Sequence, residues 1–306
     1  MIPQRPLGTT GLTVSALGYG GAPIGFADPG HAGDFPALLR RALDLGITFF
    51  DTAPDYRESE ALLGEALEGR RGDVVLATKC GRQQSRVAGG WQASEDWTEA
   101  GVAAQIESSL RHLRTDYLDL VQLHSPPRWV LDDGAALRGL EHARDAGKVL
   151  HIGISAAHPD AGYEIGLGVF ETLQVSYSIL QQEPGADTLP AAAARGIGLI
   201  VKQPVANGIP DMPDRPAHPD WSGKWDVAQR MDWASLGAPT DRTALALRWV
   251  LSNPLVSTAI VGTSDLRHLE KNAVPAAEPP LDGASLRRIE DAYYAARRRL
   301  GGEDAT

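Results

Sequence analysis

Short apolar runs recur along this chain at regular intervals, and a segment with helical periodicity separates nearly every run from the next. About eight such runs occur, near residues 17, 47, 74, 118, 149, 172, 197 and 257. Strands that alternate with helices in this way pair in parallel through right-handed crossovers. Eight units in a chain of 306 residues suit a closed barrel better than an open sheet. The sequence therefore predicts an α/β protein with a single (β/α)8 TIM barrel.

Several stretches fall outside this alternation. The turn signal Gly8–Gly11 lies between two short extended pieces and predicts an N-terminal β-hairpin. The pattern also predicts long loops over Gly81–Asp96 and Pro204–Thr240, and a basic C-terminal helix over Ala284–Arg299. Long loops in compact proteins are usually functional, so we expect these loops and the extra helices at the carboxyl-terminal mouth of the barrel. No break in composition divides residues 1–306, which predicts a single domain.

The composition restricts the partners and the compartment. The formal net charge of −10 disfavours nucleic acid and anionic membranes as main partners. No run approaches the roughly 18 apolar residues of a membrane span. With Cys80 as the sole cysteine, no intrachain disulfide can form, which fits a reducing compartment. The histidines are not spaced with carboxylates as metal ligands are, so we expect no metal site. The lack of a membrane span and the single cysteine together predict a soluble cytoplasmic protein.

Reactive side chains follow three consecutive strands at the point where each strand ends. Asp51 and Tyr56 come after the run Ile47–Phe50, Lys79 follows the next run, and His124 follows the third. An ammonium beside a phenol lowers the pKa of the phenol from its usual value near 10. A carboxylate would hold the lysine charged, and a histidine could bond a carbonyl oxygen. Each residue alone is more often structural, but the set suits the protonation of an oxyanion as hydride reaches a carbonyl carbon.

These residues lie in segments that resemble the aldo-keto reductases. The segments are GITFFDTAPDYRESEALLGEAL, LATKCGR, TDYLDLVQLHSP and IVGTSDLRHLEKN, and the resemblance runs over nearly the whole chain. It implies a (β/α)8 barrel that binds a nicotinamide cofactor without a Rossmann domain and reduces aldehydes or ketones to alcohols. It further implies that Tyr56 is the proton donor and that Lys79 lowers its pKa. Asp51 would pair with Lys79, and His124 would orient the carbonyl.

The resemblance also implies a cofactor site. Ser155 and Gln174 match polar groups that hold the nicotinamide carboxamide, although Ala156 replaces the asparagine that often follows the serine. Lys202 stands where many members carry a tyrosine beside the nicotinamide ring. The predicted cofactor residues are Gly21, Ser155, Gln174, Lys202, Gln203, Pro204, Val205, Gly208, Gly262, Thr263, Ser264, His268, Lys271 and Asn272.

The same resemblance favours NADP(H) over NAD(H). The arginine that commonly holds the 2′-phosphate is His268 here, but Arg267 and Lys271 are close in sequence and could replace it. This departure leaves NAD(H) as a competitor. A monomer is the usual state in the family, and an oligomer is the alternative.

The predicted substrate pocket combines small and aromatic residues near the barrel mouth. Gly21–Pro23 replaces an aromatic wall that is common in the family, which predicts a wider mouth at Ala22. Tryptophans in long loops have no core face to occupy, so they are candidates for a pocket wall or for simple loop packing. Arg57 stands where the family commonly has glycine, and it either reshapes the pocket or points to solvent. The predicted pocket residues are Ala22, Trp91, Trp97, Trp221 and Trp225.

Two alternative functions stay open at this stage. One is an aldose-type dehydrogenase that works with NAD in the oxidative direction, because the run Gly20–Pro23 resembles that branch of the family. The other is a barrel that binds the cofactor as a sensor or regulatory subunit, without useful turnover. The complete set of four reactive residues favours an enzyme with a small carbonyl or sugar substrate.

Overall fold

Parallel strands form a closed barrel in the computed structural model, which describes residues 1–27, 34–156, 161–238 and 240–303. The strands are β1 Gln4–Pro6, β2 Thr13–Ser15, β3 Leu17–Gly20, β4 Phe49–Asp51, β5 Val75–Cys80, β6 Arg82–Val87, β7 Gly90–Glu95, β8 Leu118–His124, β9 Val149–Ser155, β10 Thr172–Ser176, β11 Gly198–Lys202 and β12 Thr258–Val261. The barrel order is β3-β4-β5-β8-β9-β10-β11-β12, and β12 pairs with β3 to close it. The predicted (β/α)8 TIM barrel is confirmed. The prediction of a single domain stays a prediction.

Helices lie in the crossovers between the barrel strands, and two more follow the last strand. They are α1 Ala22–Gly25, α2 Phe35–Asp44, α3 Ser59–Ala66, α4 Glu99–His112, α5 Arg128–Asp133, α6 Ala135–Asp145, α7 Ala161–Leu167, α8 Thr188–Ala193, α9 Pro219–Arg230, α10 Arg242–Leu251, α11 Leu266–Ala276 and α12 Gly283–Glu303. Helix α2 illustrates why they form: Asp34 caps its first turn, and Leu38, Leu39 and Ala42 recur on one buried face. Within the described ranges, no helix is long and apolar enough to cross a membrane.

The N-terminal hairpin closes the amino end of the barrel. Strands β1 and β2 pair antiparallel, as predicted. Leu7 and Val14 of this segment are fully buried and pack in one cluster with the inward-facing Phe49, Ala77 and Ile200 of the barrel strands. This apolar plug leaves the carboxyl end of the strands as the open mouth.

The predicted loop Gly81–Asp96 is wrong, because this segment forms the antiparallel hairpin β6–β7. Its strands carry polar residues on both faces and are largely exposed, so they lack the apolar alternation by which strands are recognised. Backbone pairing holds the hairpin together. Ala88 and Gly89 form its turn, and Gly89, with φ of +96°, has a conformation that favours glycine.

The predicted loop Pro204–Thr240 is also mostly wrong. A 3-10 helix spans Ala206–Asp211, and α9 spans Pro219–Arg230. Helix α9 contains Gly223 and few aliphatic residues, so the sequence shows no apolar repeat of helical spacing there. Pro219, in the first turn, is the one signal typical of a helix start. Both elements lie on the segment that follows β11 and approach the mouth of the barrel.

Candidate active site

The carboxylate of Asp51 lies at the centre of a polar cluster inside the barrel. Its Oδ2 accepts a hydrogen bond from Lys79 Nζ at 2.6 Å, and its Oδ1 accepts one from Gln174 Nε2 at 2.8 Å. Gln122 Nε2 also donates to Oδ1, at 3.3 Å. The side chains of Asp51 and Lys79 are 2% and 0% exposed. Both charges are therefore removed from water, and each is stabilised by the other.

This cluster follows from the two-residue period of the strands. Phe49 and Ala77 belong to the apolar plug, and the next inward positions on the same strands are Asp51 and Lys79. The inward layer thus changes from apolar to polar at the carboxyl end of the barrel. Chemistry in barrels of this kind is placed at that end.

Lys79 is held as a charged group. Burial opposes its positive charge, but the Asp51 carboxylate and the Tyr56 phenol outweigh burial, so the pKa of Lys79 is raised. Lys79 Nζ also donates to the Thr52 carbonyl oxygen at 2.9 Å. The ammonium is therefore fixed in position at neutral pH.

Tyr56 ends the 3-10 helix Pro54–Tyr56, which follows β4. Lys79 Nζ lies 5.0 Å from the centroid of its ring, and the His124 ring meets it edge-on at 5.6 Å. Burial raises the pKa of Tyr56 and Lys79 lowers it, but the net shift is upward. Lys79 thus acts in the expected direction, yet the expected fall in the Tyr56 pKa does not occur, because burial of the phenol outweighs the lysine. The phenol is protonated at neutral pH.

His124 ends β8, and its ring contacts the ring of Tyr56. Burial and the positive charges of Lys79 and Lys202 hold the pKa of His124 well below its usual value. The imidazole is therefore neutral at physiological pH. Its buried Nδ1 has no hydrogen-bond partner in the part of the chain that the structure describes. A neutral ring beside a phenol can hydrogen-bond a polar ligand without competing as an acid.

Lys202 brings a second ammonium to the same end of the barrel. Its Nζ donates to Ser155 Oγ at 3.0 Å, and no ion pair links it to an acidic residue of the described ranges. Burial lowers the pKa of Lys202 to about 8, and the charge of Lys79 adds to this effect. The negative charges of Asp51 and Glu164 offset this fall only in part, so the folded protein carries a buried cation at neutral pH, which costs stability.

Replacing this lysine is expected to stabilise the protein. A fall in the pKa of Lys202 from 10.5 to about 8 corresponds to a cost of about 3 kcal/mol for the charged form. We expect Lys202→Met to gain about this much in urea unfolding at pH 7. The unfolded lysine loses its proton only near pH 10.5, so the gain shrinks from about pH 8 upward and vanishes above about pH 10.5. A gain that is absent at pH 7, or that does not change with pH, contradicts this interpretation.

A cavity of about 740 Å³ opens beside the polar cluster. Asp51 and Tyr56 line part of it. Gly21 and Ser155 lie next to this wall, because the Gly21 N–H donates a hydrogen bond to the Asp51 carbonyl oxygen and Lys202 Nζ donates one to Ser155 Oγ. Ser264 is exposed and follows Thr263 of the wall. The predicted cofactor residues in the wall are Gln174, Lys202, Gln203, Pro204, Val205, Gly208, Gly262, Thr263, His268, Lys271 and Asn272.

The backbone around this cavity has the features of a ligand site. Gln203, Ala206 and Asn207 have φ between +47° and +57°, a conformation that strains residues other than glycine and clusters at such sites. At Gly262, a Cβ atom would lie 2.6 Å from the Gly20 carbonyl oxygen, so only glycine fits this part of the wall. Amide, hydroxyl and ammonium donors surround the space, which suits an anionic dinucleotide.

The far end of the cavity lies against α11. Among the candidates for a 2′-phosphate ligand, Lys271 lines the cavity, with its Nζ 3.3 Å from Asp241 Oδ2. The Arg267 side chain is 88% exposed and pairs with Asp265 at 2.7 Å, away from the wall. Asp265 also caps α11 by accepting a hydrogen bond from the Arg267 backbone N–H. Of Arg267 and Lys271, Lys271 is therefore the one that lines this end of the cavity.

The predicted pocket residues divide into two groups. Ala22 and Trp221 line the cavity, and Trp91 lies on the hairpin beneath the side chains of Arg57 and Arg86. The other two fill space in the fold. The Trp97 ring is 7% exposed and packs over Gly81, and Trp225 donates to the Met212 carbonyl oxygen and packs on the core.

Sequence reasoning missed Gln122 and part of the cavity wall. Gln122 lies two residues before His124 on β8, and the period of the strand places both on the inward face. That register is the signal by which it could have been found. The other missed wall residues include Asn207, Asp211, Thr243 and Ala244. They lie on the segment misread as a loop or at the start of α10, where no motif marks them.

Known proteins resemble this chain over most of its length. Residues 16–293 match the Aldo/keto reductase family. The chain is 31% identical over 291 residues to L-galactose dehydrogenase of Arabidopsis thaliana, with 90% of this chain and 89% of that protein covered. It is 30% identical over 302 residues to D-threo-aldose 1-dehydrogenase of a Pseudomonas species, with 87% and 91% covered.

A solved structure agrees in fold with this chain. The holo form of an aldo-keto reductase from Bacillus halodurans has a TM-score of 0.81 at 28% identity, and the match covers 95% of this chain and 96% of that one. The family match spans far more than half of the sequence. The chain therefore belongs to the aldo/keto reductase family, and it is an NAD(P)-dependent oxidoreductase that acts on carbonyl or CH–OH groups.

Proposed function

We propose that this enzyme reduces aldehydes or ketones to alcohols and that Tyr56 donates the proton. One observation supports this proposal above the others: the phenol of Tyr56 is in the cavity wall, beside a lysine that Asp51 holds in place. A nicotinamide cofactor supplies hydride to the carbonyl carbon when it is bound. The side chains of the enzyme then act on the carbonyl oxygen, which becomes negative as hydride arrives.

The proposed roles follow from the charges at the site. Tyr56 is protonated at neutral pH and transfers its proton to the oxygen. Lys79 offsets the phenolate charge that this transfer leaves, and Asp51 fixes the lysine. His124 is neutral, so it hydrogen-bonds the carbonyl oxygen and positions it without supplying the proton.

We propose NADP(H) as the preferred cofactor, with Lys271 as the cation that would hold the 2′-phosphate. NAD(H) is the second candidate for a specific reason. Asp241 lies 3.3 Å from Lys271 Nζ, so a 2′-phosphate has to compete with a carboxylate. Arg267 is already paired with Asp265.

Cofactor binding distinguishes these candidates. Dissociation constants for NADPH and NADH are measured by quenching of tryptophan fluorescence. We expect NADPH to bind about tenfold more tightly, because a charge-assisted contact contributes on this scale. Lys271→Met should remove the difference, whereas the matched change Arg267→Met should keep it. Equal or tighter binding of NADH by the unaltered enzyme selects NAD(H).

Oxidation of a sugar is the second candidate function, because two relatives at 30–31% identity are named sugar dehydrogenases. In that direction Tyr56 has to accept a proton, so only its deprotonated form is active. Because the pKa of Tyr56 is raised, little of this form is present at neutral pH, and the rate should increase as the pH rises. Turnover of aldoses with NAD and of aldehydes with NADPH, measured side by side, decides the physiological direction. No separate observation favours a regulatory barrel.

We further propose that the enzyme acts on a small carbonyl or sugar molecule as a monomer in the cytoplasm.

Cys80 is fully buried, and burial raises its pKa, so the thiol is unreactive. Among the described residues, no group of three or more histidine, cysteine, aspartate or glutamate side chains is placed to hold a metal ion.

A further inference from the structure

Arg57 follows the proposed proton donor directly and occupies a backbone conformation that is costly for an arginine. Its φ and ψ are +50° and −117°. Glycine adopts this conformation readily, whereas a residue with a Cβ atom is strained by about 1–3 kcal/mol. Strained residues of this kind cluster at active sites and ligand-binding sites, which makes Arg57 a candidate for a functional role.

Two aromatic rings and one hydrogen bond hold the guanidinium of Arg57 at the mouth of the barrel. Its Cζ lies 5.0 Å from the centroid of the Phe26 ring and 5.9 Å from that of Trp91, and its Nε donates to Gln84 Oε1 at 3.3 Å. The Phe26 ring in turn lies 6.0 Å from the ring of Tyr56. The proposed site of proton transfer is therefore bordered by Arg57 and the two aromatic rings that contact it.

The charge of Arg57 is not neutralised by the protein. Within the described parts of the chain, no acidic side chain forms an ion pair with it. Arg86 stands over the same Trp91 ring at 5.8 Å, but it pairs with Glu58 at 3.2 Å and is 77% exposed. Two arginines thus contact one tryptophan, and the half-buried one beside Tyr56 lacks a carboxylate.

We propose that Arg57 anchors an anionic group, a carboxylate or a phosphate, on the far end of the carbonyl substrate. A guanidinium presents a planar fork of donors that matches either group, and the aromatic rings hold that fork in place. The ammonium of Lys202, which lies in the cavity wall, adds to the positive potential that an anionic substrate meets. This inference rests on the proposed function, since it assigns the substrate class of the same site.

Two matched pairs of aldehydes test the proposal in the full enzyme. One pair is 4-oxobutanoate and butanal, and the other is glyceraldehyde 3-phosphate and glyceraldehyde. We expect the unaltered enzyme to favour the charged member of at least one pair, and the favoured pair identifies carboxylate or phosphate. Arg57→Gln should raise KM for that charged aldehyde by about 10- to 100-fold with little change in kcat. KM for the neutral aldehyde should change less than twofold.

Arg57→Lys and Arg86→Gln complete the design. The lysine keeps the charge but loses the fork, so it should restore part of the affinity for the anion. Arg86→Gln alters the other arginine on Trp91 and should change neither KM. Equal use of the charged and neutral aldehydes, or equal losses for both in Arg57→Gln, overturns the proposal. If neither aldehyde is reduced, the proposed function fails, and calorimetric titration of 4-hydroxybutanoate and inorganic phosphate still decides whether Arg57 binds an anion.

Discussion

A Tyr56→Phe variant is expected to lose about 10²- to 10⁴-fold in kcat for carbonyl reduction, the range that general acid catalysis contributes. The change removes the hydroxyl and keeps the ring. The edge-on contact with His124 at 5.6 Å and the contact with Phe26 at 6.0 Å therefore survive. Because the cofactor residues of the wall are untouched, the dissociation constant for NADPH should change less than twofold. The measurements are steady-state reduction of an aldehyde and quenching of tryptophan fluorescence.

Tyr163→Phe provides the matched control for this variant. Tyr163 also loses a hydroxyl that makes a hydrogen bond, in this case to Asp132 at 2.6 Å on the exposed surface. We expect that variant to keep full activity. Turnover of Tyr56→Phe within tenfold of the unaltered enzyme would remove Tyr56 from the role of proton donor. A loss of turnover that a higher concentration of NADPH restores would instead be one of cofactor affinity.

The barrel could be predicted because its strands carry a strong local signal. Runs such as Leu118–His124 and Val149–Ser155 are buried along most of their length and are rich in leucine, isoleucine and valine. The reactive residues could be located for the same reason. A charged side chain that follows such a run is at the carboxyl end of a parallel strand, and these ends share one mouth.

The parts that escaped prediction depend on contacts between distant segments. The hairpin β6–β7 has polar residues on both faces and forms through backbone pairing between its strands, so composition does not reveal it. Trp97 is distant from any apolar run, yet its ring covers Gly81 in the core. The net shift of the Tyr56 pKa is a balance between burial and Lys79, and the degree of burial is a property of the assembled barrel.

A Lys79→Met variant is expected to lose about 3–5 kcal/mol in its free energy of unfolding, because it leaves the buried Asp51 carboxylate without its countercharge. Gln122 and Gln174 still donate to Oδ1, but Oδ2 loses its 2.6 Å partner. Activity should fall as well. The lysine is the group that lowers the pKa of Tyr56, so its removal leaves only burial and nearby carboxylates, which raise that pKa. Urea unfolding and kcat for aldehyde reduction measure the two effects.

The double variant Asp51→Asn/Lys79→Met separates structure from chemistry. The asparagine keeps an oxygen that accepts from both glutamines and carries no charge, so we expect most of the lost stability to return. Catalysis should not return with it, since the ammonium of Lys79 that lies beside the phenol is gone as the proton leaves. If activity recovers together with stability, the lysine only holds the barrel together. If stability recovers alone, Lys79 acts on the proton of Tyr56, and the buried ion pair is kept for the reaction at a cost to the fold.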